Sequence, residues 1–290
     1  MSSAVGQLSL RYWWRKFKSA TMMGATVAAT LLTLVPLFWV LGYLLKQGLS
    51  GIDLAFFTSL PRPVGEKGGG MGNAVLGTLE LVTLATVMAV PLGVSAGLYL
   101  TEPGRNGLMA NAVRFAADVL MGVPSIVIGI FVYALVVRPM KTFSALAGAI
   151  ALATMMAPLV VRTTEEAIKL VPLELRESAL ALGVPRWKTS LFIVVRTAAR
   201  GIATGILLAL ARIAGETAPL LFTAFGNQFW STSLTRPIAA LTVQVYTYAI
   251  SPFPEWHRQA WAGALVLTGM VLIVELSVHM LTGKKVRAPR

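Results

Sequence analysis

The sequence has no cysteine and only two histidines, His257 and His279. Disulfides and thiolate metal sites are thereby excluded, and a histidine-built metal centre lacks ligands. Charge is scarce too. Only 13% of the 290 residues are charged, against about 25% in soluble domains. A soluble chain of this length needs a charged surface, and this one lacks it. Acids are scarcer than bases, 12 against 25, which leaves a net charge of +13. Those bases form no single stripe of the kind that grips nucleic acid; they flank apolar blocks, as orientation signals do. There is also no Gly-x-x-x-x-Gly-Lys-Ser/Thr segment. The chain therefore lacks a Walker A cradle for ATP.

What the sequence does have is long apolar runs. Segments 19–45, 119–137 and 143–161 contain no Asp, Glu, Lys or Arg, 68–101 is interrupted only by Glu80, and 259–283 only by Glu275. Each can cross a bilayer, which takes about 20 apolar residues. A buried soluble core accounts for one such run, not five. The N-terminal run is about twice the length of a signal-peptide core, so it reads as an uncleaved first helix. The expected fold is all-α and polytopic. Six transmembrane helices are expected near 20–46, 74–100, 109–137, 143–163, 197–225 and 259–282. A basic tail at 1–20, with Tyr12, Trp13, Trp14 and Phe17, suits the headgroup layer. Pro61, Pro63 and Gly68–Gly70 make 47–73 a loop. Segment 164–196 is polar and reads as two short surface helices, with Pro172 and Pro185 as starts and Gly183 as a stop. Segment 217–257 is a poor span, rich in Pro and polar residues.

Charge orients this set. An even number of crossings places both termini on one side. Arg11, Arg15, Lys16, Lys18, Arg105, Lys169, Arg176, Arg186, Lys188, Arg196, Lys284, Lys285, Arg287 and Arg290 then share that side. Lys46, Arg62, Lys67, Arg138, Lys141, Arg236 and Arg258 face the other. Under the positive-inside rule both termini, including the 283–290 tail, are expected in the cytoplasm.

Ions at membrane depth cost about 2.5–3.5 kcal/mol on insertion scales and mark partners or water paths. Two pairs stand four apart. Arg114 and Asp118 open the third helix and read as a pair near the interface. Arg212 and Glu216 lie in Ala-Arg-Ile-Ala-Gly-Glu-Thr-Ala-Pro and read either as a packing pair or as a polar gate; a guanidinium fork suits an oxyanion. Gly201 and Gly205, continued by Ala209, form a small-residue face for close helix packing.

Two sets of residues resemble a known family. Glu177-Ser178-Ala179, then Gly183 and Ile193, is similar to the E-A-A-x3-G-x9-I loop of membrane subunits of type I ABC importers, although Val195-Arg196 replaces the family's Leu-Pro. The segments at 72–78, 90–94, 122–127 (Gly-Val-Pro-Ser-Ile-Val) and 212–221 resemble phosphate importer permeases, the A-type chain more than the C-type, over about residues 65–282. The resemblance implies a permease-like bundle that forms half of a translocation pathway. It implies that Arg212, Glu216, Thr217, Arg114 and Asp118 line or gate that pathway. It implies that Glu177, Ser178, Ala179, Gly183 and Ile193 couple to an ATPase. The implied partners are a second C-type permease, two ATPase subunits carrying ATP-Mg, a periplasmic phosphate-binding protein and the lipid bilayer of the inner membrane. No cofactor or metal is expected on this chain, nor any nucleic acid. A molybdate, sulfate or phosphonate permease is the alternative, and an ion-gradient secondary transporter a further one.

Overall fold

A computed structural model describes residues 2–66, 68–101 and 107–282. Lys67, Arg105 and the expected tail 283–290 lie outside the described residues. The described chain is helical, without strands. Its elements are α1 (Ser2–Leu49), α2 (Leu54–Thr58), α3 (Gly72–Thr101), α4 (Leu108–Gly122), α5 (Ser125–Val132), α6 (Arg138–Met140), α7 (Ala145–Lys169), α8 (Leu173–Ala181), α9 (Arg186–Lys188), α10 (Val195–Ala214), α11 (Ala218–Thr223), α12 (Leu241–Ala249) and α13 (Pro254–Thr282). π-Turns at Tyr133–Val137 and Thr189–Val194 join α5 to α6 and α9 to α10.

Among the described residues, five helices are long and apolar enough to cross a membrane, and α4 with the helix that follows counts as a sixth when the bent pair is taken as one span. The six-helix expectation therefore stands with one correction. The run 109–137 is not a single kinked helix. It breaks at Val123–Pro124, where both residues are extended, and the two halves bend by 107°. Proline forces the preceding residue out of the helical region and offers no donor, so the helix stops there.

Other boundaries also move. α1 has 48 residues, about 72 Å at 1.5 Å each, so the expected tail is a continuation of the first helix rather than a separate segment. α7 runs on to Lys169, and a continuous helix begins at Arg186. Of the two surface helices expected in 164–196, only α8 stands free among the described residues, and the polar loop shrinks to about 170–185. The loop 47–73 holds the short α2. In 217–257, α11 and α12 have 6 and 9 residues, too short to cross, so no seventh span arises among the described residues.

α7 is the hub of the bundle, and small residues on the helices packed around it explain why. Gly93 and Gly97 of α3 seat on Val160 and Thr164, and Gly201 of α10 on Ala167. A Cβ built at Gly205 meets the Thr163 hydroxyl. The small face expected at 201, 205 and 209 is thus a real contact, and Ala209 is fully buried. Gly205→Leu should overpack this seam and cost about 1–3 kcal/mol. A lowered melting temperature of the detergent-solubilised chain would register it, and an unchanged one would contradict the packing.

The start of α7 fixes 217–257 in place. Helix N-termini leave orphan N–H groups. Here Ser144 N–H donates to Thr223 O (3.0 Å), Ala145 N–H to Arg236 O (3.0 Å) and Leu146 N–H to Leu234 O (2.9 Å). The Ser144 hydroxyl caps Ala147 N–H. Thr78 on α3 accepts from Leu241 N–H at 2.7 Å and so caps α12. The segment between α11 and α12 is therefore bonded to the helix ends at this end of the bundle, opposite Lys169 and α8.

Candidate functional site

The expected Arg212–Glu216 pair does not form. α10 ends at Ala214 with Gly215 as its C-cap, and Glu216 lies in a break before α11. The proline ring at 219 would strike the carbonyl four residues earlier, at Gly215, so no helix passes through this point. With the helix ended, the four-residue spacing no longer puts the two side chains on one face. Neither residue makes an ion pair among the described residues. Arg212 is exposed; Glu216 and Thr217 are half-buried. The Glu216 carbonyl accepts from the Thr242 hydroxyl at 3.0 Å, which ties the break to α12.

This break meets the one at Pro124. α5 packs on α11, with Gly129 pressed against the Pro219 backbone. Two discontinuous helices thus face each other in the bundle. Non-helical backbone at membrane depth is tolerated where it is buried in protein or lines a water-filled cavity. Nearby, a cavity of about 350 Å³ is bordered by Phe225, Asn227, Gln228, Gln244, Thr247 and Tyr248 among others. Most of these polar groups sit in the stretch that the sequence left unassigned.

Arg114 and Asp118 do not pair with each other either. Each reaches across to α7. Arg114 Nε donates to Glu165 Oε1 at 2.8 Å. Arg162 Nε donates to Asp118 Oδ1 at 2.8 Å, with a second contact from Nη2 to Oδ2. Glu165 is fully buried, so its pair with Arg114 is shielded from solvent, whereas Asp118 stays half exposed. The three residues that complete this network, Arg162, Glu165 and Lys169, were missed as site residues. Their signal was the helical spacing in Arg-Thr-Thr-Glu-Glu-Ala-Ile-Lys, hidden by ending the fourth span at 163.

At the other motif, α8 carries Glu177, Ser178 and Ala179. Glu177 and Ser178 are exposed, while Ala179 is 5% exposed and packed inward. The helix closes with a Schellman pair: Val184 N–H donates to Ala179 O (3.1 Å) and Gly183 N–H to Leu180 O (2.9 Å). Gly183 has φ +80°, a conformation that favours glycine. Ile193, half-buried, lies in the π-turn leading into α10. Beside α8, Leu170 and Leu182 are each 84% exposed and Trp187 is 57% exposed, an apolar surface outside the bundle.

Residues 89–286 match the family described as binding-protein-dependent transport system inner membrane component. The chain is 48% identical to the phosphate transport system permease protein PstA of Yersinia pestis, over 94% of this chain and 92% of that one. It is 50% identical to the protein of the same name from Xylella fastidiosa, over 82% and 83%. In fold it is similar to a chain of a bacterial alginate ABC transporter solved in complex with an alginate-pentasaccharide-bound periplasmic protein. That match has a TM-score of 0.66 and 15% identity, and covers 93% of this chain and 96% of the other.

Proposed function

The chain belongs to the binding-protein-dependent transport system inner membrane components, and within them to the phosphate transport permeases; from that premise we propose how its parts import phosphate. It is the membrane-spanning permease of an ATP-driven importer. It supplies half of the pathway, paired with a related C-type permease. Two separate ATPase subunits carry ATP-Mg, and a periplasmic phosphate-binding protein delivers the ion at the Ser144 end of the bundle. Both termini lie in the cytoplasm in this reading, which the distribution of Lys and Arg supports.

The observation that carries the coupling half of this reading is α8. It is short, capped and anchored through Ala179, and it stands beside exposed Leu170, Leu182 and Trp187. A surface of that kind wants a protein partner. The translocation half rests on Arg212. A guanidinium exposed on a spanning helix costs too much against lipid, so it faces a partner chain or a water path, where it can hold an oxyanion by two parallel bonds. Glu216 repels phosphate and keeps to the rim of the break with Thr217. Arg114 and Asp118 wall the pathway from α4 through their links to α7.

Reconstitution tests this. Phosphate uptake into proteoliposomes is expected only with the ATPase, ATP and binding protein present, with little competition from molybdate, sulfate or phosphonate. Uptake by the purified chain alone, without ATP, would replace the reading with a gradient-driven carrier. Preferential competition by another oxyanion would change the substrate and leave the mechanism standing. Topology has its own check: a phosphatase reporter fused after residue 290 should be inactive, and activity there would put the C-terminus outside.

A further inference from the structure

We infer that Glu165 is a positioning residue, the joint through which movement of α8 reaches the spanning helices. The inference rests on the reading that α8 docks on an ATPase.

Glu165 sits in the last turns of α7, and its side chain is 0% exposed. A buried carboxylate persists only when it is paired and hydrogen-bonded. This one takes three cations from three directions. Arg114 Nε reaches it from α4 at 2.8 Å, Arg162 Nη1 from the preceding turn at 3.1 Å, and Lys169 Nζ from the following turn at 3.1 Å. Each cation has a second task. Arg114 Nη2 donates to Leu100 O at the end of α3, 2.8 Å away. Arg162 holds Asp118 on α4. Lys169 closes α7 three residues before Pro172, the N-cap of α8, and also holds Glu166 at 3.0 Å. On the far side Arg176 of α8 donates to Thr101 O at 3.4 Å.

The ends of α3, α4 and α7 therefore converge on one carboxylate next to the root of α8. The link between α7 and α8 has little slack, because Val171 N–H bonds Ile168 O at 3.1 Å and Val171 is buried. A displacement of α8 pulls on Lys169 and Arg176 together. Through Glu165 the pull reaches α4, whose far end is the Pro124 break. Without the negative charge, Arg114, Arg162 and Lys169 repel one another, the Arg114 strut between α4 and α7 is lost and only the Arg162–Asp118 ion pair still ties the two helices, while α8 keeps its surface.

The test uses the assembled transporter in proteoliposomes, with phosphate uptake and ATP hydrolysis read in the same vesicles. Glu165→Gln is expected to leave hydrolysis within about twofold while phosphate imported per ATP falls about tenfold, the scale of a lost coupling of this kind. Glu165→Asp, which keeps the charge, should recover part of the ratio. Arg114→Gln removes the α4 strut yet leaves Glu165 two cations, and it should lower the ratio about fivefold. A normal ratio in either neutral variant overturns the inference. So does failure of both to assemble, which assigns Glu165 to stability alone. Glu177→Cys in the otherwise unchanged chain reports docking separately. If it does not cross-link to the ATPase, the docking reading fails. If it cross-links and coupling is normal in the variants, only the role of Glu165 fails.

Discussion

Arg212→Ala should reduce phosphate uptake about a hundredfold while the transporter still assembles, because two charge-assisted bonds to the ion are worth roughly 3 kcal/mol and each 1.4 kcal/mol is tenfold. Arg212 is exposed at the end of α10 and pairs with no carboxylate among the described residues, so its removal strands no buried partner there. The loss should therefore appear in transport and not in melting temperature. Arg212→Lys separates charge from shape. Lysine keeps the attraction and loses the planar fork, and roughly tenfold of the uptake should be lost. Glu216→Gln should act more mildly than Arg212→Ala, since the break leaves the two side chains apart. Wild-type uptake by Arg212→Ala at normal expression would remove this residue from the pathway. A fall in uptake matched by a fall in melting temperature would make it structural.

That ordering of effects follows from the helix break at Gly215, which the sequence read as a continuous helix does not contain. Most of the architecture was legible: apolar runs of the right length gave the spanning helices, and the Lys and Arg that flank them gave an orientation to test. The same spacing logic misled at the charged pairs. Four residues apart means one face only while the helix continues, and Pro219 ends it between Arg212 and Glu216. Arg114 and Asp118 do share a helix, yet cations and acids on α7 outcompete a same-helix partner. A sequence read one helix at a time does not contain that choice. The segment 217–257 stayed unread for a related reason. The backbone bonds that fix it in place go to Ser144, Ala145, Leu146 and Thr78 in or beside remote helices, and no local pattern records them.

Both helix breaks now have local chemical causes, Pro124 in one and Gly215 with Pro219 in the other, and they pack on each other through α5 and α11. A joint built from two discontinuous helices can be reset by a small shift of either one. α4 leads from the first break to Arg114 and Asp118, and α10 leads from the second to the root of the coupling segment. In the proposed importer, the route from ATPase to gate would use these two helices as rigid rods, and α8 would have to hold its own shape to drive them.

Gly183→Val tests that last requirement and should nearly abolish ATP-driven uptake. At φ +80° a Cβ meets the carbonyl that follows, at a cost of about 1–2 kcal/mol, and a β-branched side chain fits least well there. The chain escapes by moving 183 to a negative φ. That breaks the two bonds from Val184 N–H and Gly183 N–H back to Ala179 and Leu180 and re-aims the segment leading to Arg186. Beyond its own backbone and its two chain neighbours, a Cβ built at 183 meets no atom within 4 Å, so crowding by the rest of the fold contributes nothing and the effect is conformational. Gly183→Asn, which tolerates the left-handed region far better, should therefore retain most of the uptake, while Gly183→Ala falls between. The bundle stays intact in all three variants, because the 183 backbone lies outside the spanning helices; melting temperatures should agree. ATPase co-purification should drop in the order Asn, Ala, Val. Equal uptake from the three variants would show that the backbone at 183 does not set how α8 meets its partner, and the docking role would have to move to the exposed Leu170 and Leu182.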